Sequence, residues 1–277
     1  MRRSRSTLAT WHTTELSYDT PAVRSYSELR MSPTTGSSQR VLRHRIELSQ
    51  PAHRVRYRDY WGSVVTYFDI QRPHSELTIV ASSTVRCAPW STGSVVTLAT
   101  LARPETQRAL LEYLLPTPLT TIAEPAIDLE VGTDPLERAE ALAAIVHDTI
   151  TYAPGTTTVD TTADEAWARR SGVCQDATHV LCALLRHAGI PARYVSGCFA
   201  PHALEVSEAA EGASHAWVEA WVGHWHPLDP TNLFAPSERY ITVARGRDYR
   251  DVAPLHGIYE GPGRQTMRSS VRIQRVS

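Results

Sequence analysis

The chain has 277 residues, of which 42% are hydrophobic and 21% charged, room for one large domain or two ordinary ones built around a proper core. Its formal net charge of −1 excludes a general nucleic-acid binder, which would carry a basic excess. No run approaches the roughly 18 apolar residues that suggest a membrane span, and no apolar stretch follows the basic start Met1-Arg2-Arg3, so neither a span nor an export signal is expected.

Residues 8 to about 90 read as short strands punctuated by Pro21, Pro33, Gly36, Pro51 and Pro73. Val41 to Leu48, Arg54 to Tyr60, Val64 to Ile70 and Leu77 to Arg86 are the clearest. This spacing suggests an antiparallel sandwich or barrel. Arg54, Arg56 and Arg58 share one strand face, read as solvated. Arg103 to Leu115 is expected to be one helix, ended by Pro116 and Pro118. Asp134 and Pro135 suit the N-cap and first position of a helix running to Ile150. Thr162 and Glu165 make a capping box for a short helix reaching Arg169.

The segment from Ser171 to Gly197 reads as loop, helix and strand. Ala177, Val180, Leu181, Leu184 and Ala188 form a helical apolar stripe, and Gly189 with Pro191 stops it. Cys174 therefore stands in the first turn, where unpaired N–H groups and the helix dipole favour a thiolate, the form that attacks carbonyls. As an average cysteine it would be a small buried apolar residue. Its position after Gly172, flanked by Gln175 and Asp176, reads instead as a nucleophile.

A loop over 201–213 leads into a strand from Ser214 to Val222, with His215, Trp217, Glu219 and Trp221 on one face. Trp225 to Leu228, Tyr240 to Ala244 and Val271 to Val276 are further strands. A thiol nucleophile needs a base and a group that orients the base; His215 and Asp229 are the candidates. Asp229 could otherwise be a turn residue, since Asp-Pro is common in turns. A two-residue turn at Gly223-His224 would place Asp229 on the face away from His215. A three-residue connection, with Trp221 opposite Trp225, makes Asp229 diagonal to His215 and within its reach. A metal site drawing on His224 and His226 is the competing chemistry; no spacing resembles a zinc pattern, and no metal is expected.

The 4 cysteines, Cys87, Cys174, Cys182 and Cys198, contain no C-x-x-C pair and no dense framework, so reduced thiols and a cytoplasmic location are expected. All 28 basic residues are arginine; the sequence contains no lysine.

Several segments resemble the bacterial transglutaminase-like family. They are Tyr-Ala-Pro-Gly-Thr-Thr (152–157), Gly-Val-Cys-Gln-Asp (172–176), Gly-Ile-Pro-Ala-Arg-Tyr-Val-Ser-Gly (189–197), Ser-His-Ala-Trp-Val-Glu (214–219), Asp-Pro-Thr-Asn (229–232) and Gly-Arg-Asp-Tyr-Arg-Asp-Val-Ala-Pro (246–254). Tyr-Ser-Glu-Leu-Arg (26–30), Asp-Tyr-Trp-Gly (59–62) and Arg-Pro-His-Ser-Glu-Leu (72–77) are similar to that family's N-terminal domain. The resemblance implies an α+β chain: an antiparallel β-sandwich-like domain over 8–98, then a papain-like transglutaminase core over 99–277. It implies Cys174 as nucleophile, His215 as base and Asp229 as orienting group. The oxyanion donors would be the Cys174 N–H and an upstream side chain, for which Tyr152 is the candidate; its other reading is a core aromatic closing the Ile150 helix. Cys198, and Ala177 with Thr178, depart from the family pattern and could alter the acyl pocket. No acidic calcium loop is visible, and no cofactor is expected.

The expected chemistry is cleavage of a peptide or other amide through a Cys174 thioester, with a peptide or protein substrate and no nucleic-acid or membrane partner. Transfer of the acyl group to an amine is the alternative. A non-enzymatic interaction module on the same fold is the rival class, against which the complete triad argues.

Overall fold

The computed structural model describes residues 6–90, 93–200, 204–233 and 237–277. Arg2, Arg3 and Arg5, and the first residues of the 201–213 loop, lie outside the described residues. Alternating burial sets up six N-terminal strands: β1 (Ser6–Ala22), β2 (Arg24–Ser32), β3 (Gln39–Leu48), β4 (His53–Arg58), β5 (Val64–Ile70) and β6 (His74–Cys87). Leu16, Tyr18, Leu29, Phe68, Ile70, Leu77 and Ile79 point inward between two sheets and form the sandwich core. The arginines of β4 stand on a wholly exposed strand at the edge of the smaller sheet, beyond β5.

The single helix expected over 103–115 is broken. A short α1 (Leu98–Leu101) is followed by α2 (Pro104–Ala109) and a 3₁₀ turn at Leu111–Tyr113. No residue of α2 is buried, so no apolar face stabilises a longer helix there. The later helices follow their caps. In α3 (Pro135–Thr149), Asp134 Oδ1 accepts from Leu136 N (2.8 Å) and Glu137 N (3.0 Å). A short β7 (Thr151–Tyr152) intervenes, and α4 (Ala163–Arg169) begins with the Thr162–Glu165 capping box. Next come β8 (Ser171–Gly172), parallel to β7, and α5 (Cys174–His187). Leu181, Leu184 and Leu185 of α5 are fully buried among α3, α4 and the sheet. Truncating one such leucine to alanine typically costs about 2–5 kcal/mol.

The remaining elements are β9 (Ala192–Phe199), β10 (Ala209–Trp221), β11 (Trp225–Leu228), β12 (Tyr240–Gly246), α6 (Tyr249–Val252), β13 (Leu255–Glu260) and β14 (Gln265–Arg275). The strand expected from Ser214 begins earlier, at Ala209, and the C-terminal strand begins at Gln265 rather than Val271. Sequence reading missed β13 altogether.

These last strands join the two halves of the chain. β14 pairs with β1 along its whole length, from Leu8↔Arg275 to Tyr18↔Gln265, and β13 pairs with β2. The C-terminal strands thus return to the N-terminal sheets. β14 also pairs with β10, so one sheet, in the order β12-β9-β10-β14-β1-β6-β3, runs through both halves. Within it, Gly197 of β9 lies opposite His215 of β10. A side chain at Gly197 would collide with the Ile241 carbonyl and the Trp217 indole, so only glycine lets these strands approach so closely. No helix among the described residues is long and apolar enough to cross a membrane.

Candidate active site

Cys174 is the first residue of α5, so its N–H has no intrahelical partner. The turn before it is held by Asp176, which reaches back to accept hydrogen bonds from Val173 N (2.7 Å) and Thr157 Oγ1 (2.7 Å). A Cβ at Gly172 would lie 2.6 Å from Asp176 Cβ, so the glycine makes room for this carboxylate. Burial raises the Asp176 pKa, and these hydrogen bonds oppose the shift. One turn on, Thr178 Oγ1 donates to the Cys174 carbonyl at 2.6 Å.

The connection between β10 and β11 has three residues, with Trp221 paired to Trp225 and Val218 to Leu228. Gly223 supplies the positive φ of +109° that this turn requires. Asp229 therefore follows β11 on the face that carries His215. His215 Nε2 donates to Asp229 Oδ2 at 2.7 Å, which leaves Nδ1 for Cys174. Phe199, Trp217 and Tyr240 surround the imidazole, with ring centroids 5.3, 6.2 and 5.9 Å away. Burial disfavours the imidazolium, but hydrogen bonds to Asp229 and Cys174 and their charges outweigh it. They raise the His215 pKa from 6.5 to about 9.

Asp229 is held from several directions. Oδ2 also accepts from Tyr240 OH (2.6 Å) and Asn232 Nδ2 (2.8 Å), and Oδ1 accepts from the N–H groups of Thr231 (2.9 Å) and Asn232 (3.2 Å). Burial alone would raise its pKa; His215, Asn232 and Tyr240 together bring it below the ordinary carboxylate value. Sequence reading missed Tyr240 and Asn232 in this role. Asn232 had a signal in the Asp-Pro-Thr-Asn turn. Tyr240 had none, since its strand reaches Asp229 only through the sheet order.

Cys174 and His215 line a cleft of about 260 Å³. Tyr194 and Tyr249 line it from the core, and His12, Met31, Leu255 and Met267 from the sandwich. His12 is hydrogen-bonded through Nε2 to Ser269 Oγ at 2.8 Å, and burial lowers its pKa to about 4, so it is neutral there. The 246–254 motif serves this wall. Asp248 caps α6 by accepting from Arg250 N, and the Tyr249 N–H donates to His179 Nε2 at 3.1 Å, tying α6 to α5.

Tyr152 does not close the core: its side chain is 59% exposed, because β7 runs along the surface. It pairs in register with Gly172, two residues before Cys174, and the Cys174 charge contributes to raising its pKa after burial. It is not among the residues lining the cleft. Cys198 is likewise no part of the cleft; it is buried where the two halves of the large sheet meet, and burial pushes its thiol up to about 12. All four cysteines are free. His226 lies 3.9 Å from Glu140 and its ring 5.9 Å from that of His224. Among the described residues no group of three or more His, Cys, Asp or Glu is placed to hold a metal ion.

Residues 126–230 match the Transglutaminase-like superfamily, and residues 8–86 match the bacterial transglutaminase-like N-terminal region. An uncharacterized protein of Mycobacterium leprae is 38% identical over 272 residues, covering 96% of this chain and 98% of its own. An uncharacterized protein of Mycobacterium tuberculosis is 35% identical over 268 residues, covering 89% and 85%. The chain belongs to the bacterial transglutaminase-like family. A crystal structure from Cytophaga hutchinsonii, provisionally named a cysteine protease, superposes with a TM-score of 0.77 at 19% identity, over 99% of this chain and 93% of that one. That similarity establishes the fold: a β-rich N-terminal region followed by a papain-like transglutaminase core.

Proposed function

We propose that the protein is a cysteine-dependent amide hydrolase acting on polypeptide substrates, with Cys174 as nucleophile, His215 as acid and base, and Asp229 as the group that orients His215. The observation that carries this reading is the placement of one buried imidazole between Asp229 Oδ2, at 2.7 Å, and the cysteine that opens α5. The raised His215 pKa means that the imidazolium is the form present at neutral pH, the partner a thiolate needs. The Cys174 thiolate attacks the amide carbonyl carbon. The oxyanion that forms lies at the α5 N-terminus, where the Cys174 N–H donates to it. Tyr152, on the neighbouring β7, is the side-chain candidate for a second donor. As the C–N bond breaks, His215 gives its proton to the leaving nitrogen, and a thioester remains. Water then attacks the thioester while His215 accepts its proton, the acid departs, and the thiolate–imidazolium pair is restored.

Water is favoured over an amine as the second nucleophile because, among the described residues, no Asp or Glu lines the cleft at Cys174 itself to guide a cationic amine to it. The provisional name of the Cytophaga hutchinsonii protein agrees with proteolysis. The test is acid quenching of the enzyme after mixing with a peptide digest of a bacterial extract. A mass increment on Cys174 that hydroxylamine removes, absent in Cys174→Ala, supports the thioester. Turnover of any amide substrate by a folded Cys174→Ala protein overturns it.

A further inference from the structure

The Cys174 cleft continues into a second groove of about 520 Å³, with which it shares Tyr249, Leu255 and Met267. The floor of this groove is the face of the large sheet that carries Leu16, Tyr18, Gln265 and Met267. Its far bank is Val159 and Asp160, with Tyr249 and Arg250 of α6. Its near bank is β13, which contributes four consecutive residues, Leu255 to Ile258. The adjoining β2 adds Ser25, Ser27, Glu28 and Arg30 to the same bank, but β2 is paired on both sides, so the unpaired edge that borders the groove is that of β13.

That edge differs from the other long edges of the two sheets. Exposed strand edges carry unpaired N–H and C=O groups, and proteins commonly guard them with charge or cover. β4 carries Arg54, Arg56 and Arg58, and β3 carries Arg40, Arg43 and Arg45. β12 is covered by Gln39, whose side-chain amide accepts from Thr242 N at 2.8 Å and donates to Thr242 O at 2.7 Å. β13 reads Leu-His-Gly-Ile-Tyr-Glu, with no arginine, and among the described residues it pairs with β2 alone. Large apolar side chains stand exposed beside it: Ile258 is 70%, Met267 57% and Val159 50% exposed, and all three line the groove. A strand edge whose carboxylate, Glu260, stands at its far end, with exposed apolar side chains on both banks, is suited to another stretch of polypeptide.

We infer that the substrate's polypeptide chain binds in extended form along the free edge of β13, adding a strand to the smaller sheet and leading its reactive amide into the Cys174 cleft. Backbone pairing supplies sequence-independent affinity. Selectivity comes from alternate side chains packing on Ile258, Val159 and Met267, which favour apolar residues. The sandwich thereby acts as a wall of the substrate site. This inference rests on the reading of Cys174 as the nucleophile.

The test uses the intact protein and two series of thiol-directed probes. Peptidyl chloromethyl ketones of one to four residues extend to one side of the reactive carbon, and chloroacetyl peptides extend to the other. The readout is the alkylation rate at Cys174, by mass spectrometry, divided by the rate with chloroacetamide. In at least one series this ratio is expected to rise at least tenfold with chain length, more with leucine than with aspartate in the added positions. N-methylation of alternate peptide nitrogens removes the gain, as strand pairing requires. Ile258→Asp, on the near bank, and Val159→Asp, on the far bank, each lower the ratio toward that of the shortest probe. Two variants on separate elements keep the test decisive if one of them disturbs its strand or loop. A ratio independent of length in both series, or a full gain retained in both variants, overturns the groove while leaving Cys174 as nucleophile. Chloroacetamide that alkylates Cys174 no faster in the wild type than in His215→Ala overturns the nucleophile reading, and this inference falls with it.

Discussion

His215 and Asp229 are joined by one 2.7 Å hydrogen bond through Nε2, and Asp229 Oδ2 is held at the same time by Tyr240 and Asn232. The imidazole is thus fixed in plane, and Nδ1 is the ring nitrogen left for Cys174 in the proposed reaction. In the proposed reaction the histidine moves protons, while the aspartate orients it and stabilises its cation. Asp229→Asn is therefore expected to retain about 10²-fold more kcat/KM than His215→Ala, the ordering seen where such residues act as a unit. The opposite order, measured on any amide the enzyme turns over, would mean the roles are exchanged.

The His215 titration can be followed by NMR. Its midpoint is expected near pH 9 in the wild type, lower in Cys174→Ala, which removes one hydrogen bond and one charge, and lower again in Asp229→Asn. Since the folded value lies above the ordinary 6.5, the associated stability is fully present below pH 6.5. It is lost as pH rises through about 9, and amounts to about 3 kcal/mol. Asp229, with its pKa lowered, contributes in the opposite sense: its share is present above the ordinary carboxylate range and lost on acidification. Urea unfolding of the wild type and of Asp229→Asn across pH 4–10 tests both signs.

Glu219, two residues beyond Trp217 on the same strand, is fully buried between Arg193 and Arg245. Arg193 also lies over the Trp225 ring at 4.0 Å, so this cluster ties β9, β12 and β11 to the strand that carries His215. Arg245→Met leaves part of a buried charge unpaired and is expected to cost about 3–5 kcal/mol in denaturant unfolding. A loss below about 1 kcal/mol would show that Arg193 alone satisfies Glu219.

The absence of lysine gives the chain no side-chain amine to act as acyl acceptor. Incubated alone, the pure protein is expected to form no isopeptide-linked multimers, whichever second nucleophile it uses. Lack of self-crosslinking is therefore no argument for a hydrolase. With a glutamine-containing peptide and a millimolar external amine, ammonia release is expected to exceed amine incorporation at least tenfold. Efficient incorporation would promote acyl transfer over hydrolysis.

Features set by neighbouring residues were legible in the sequence. Asp134 with Pro135, Thr162 with Glu165, and Cys174 after Gly172 declared their helix starts through capping and turn chemistry. The Trp221–Trp225 pairing followed from requiring that Asp229 reach His215. Partners distant in the chain were not legible. The pairing of Leu8 with Arg275 and of Leu29 with Leu255 leaves no local pattern, because strand registry across some 250 residues is decided by packing. For the same reason the cleft wall made by His12, Met31 and Met267, and the bond from Tyr240 to Asp229, needed the folded sheet. The helix expected from Arg103 failed because sequence propensity alone could not hold an element with no buried face.

The central claim is that His215 activates Cys174. Its most direct measurement is the iodoacetamide alkylation rate of Cys174 at pH 6.5, by mass spectrometry, in the wild type and in a folded His215→Ala variant. The account predicts a wild-type rate at least tenfold higher, because His215 is the group that activates the Cys174 sulfur. Equal rates in the two proteins would contradict it.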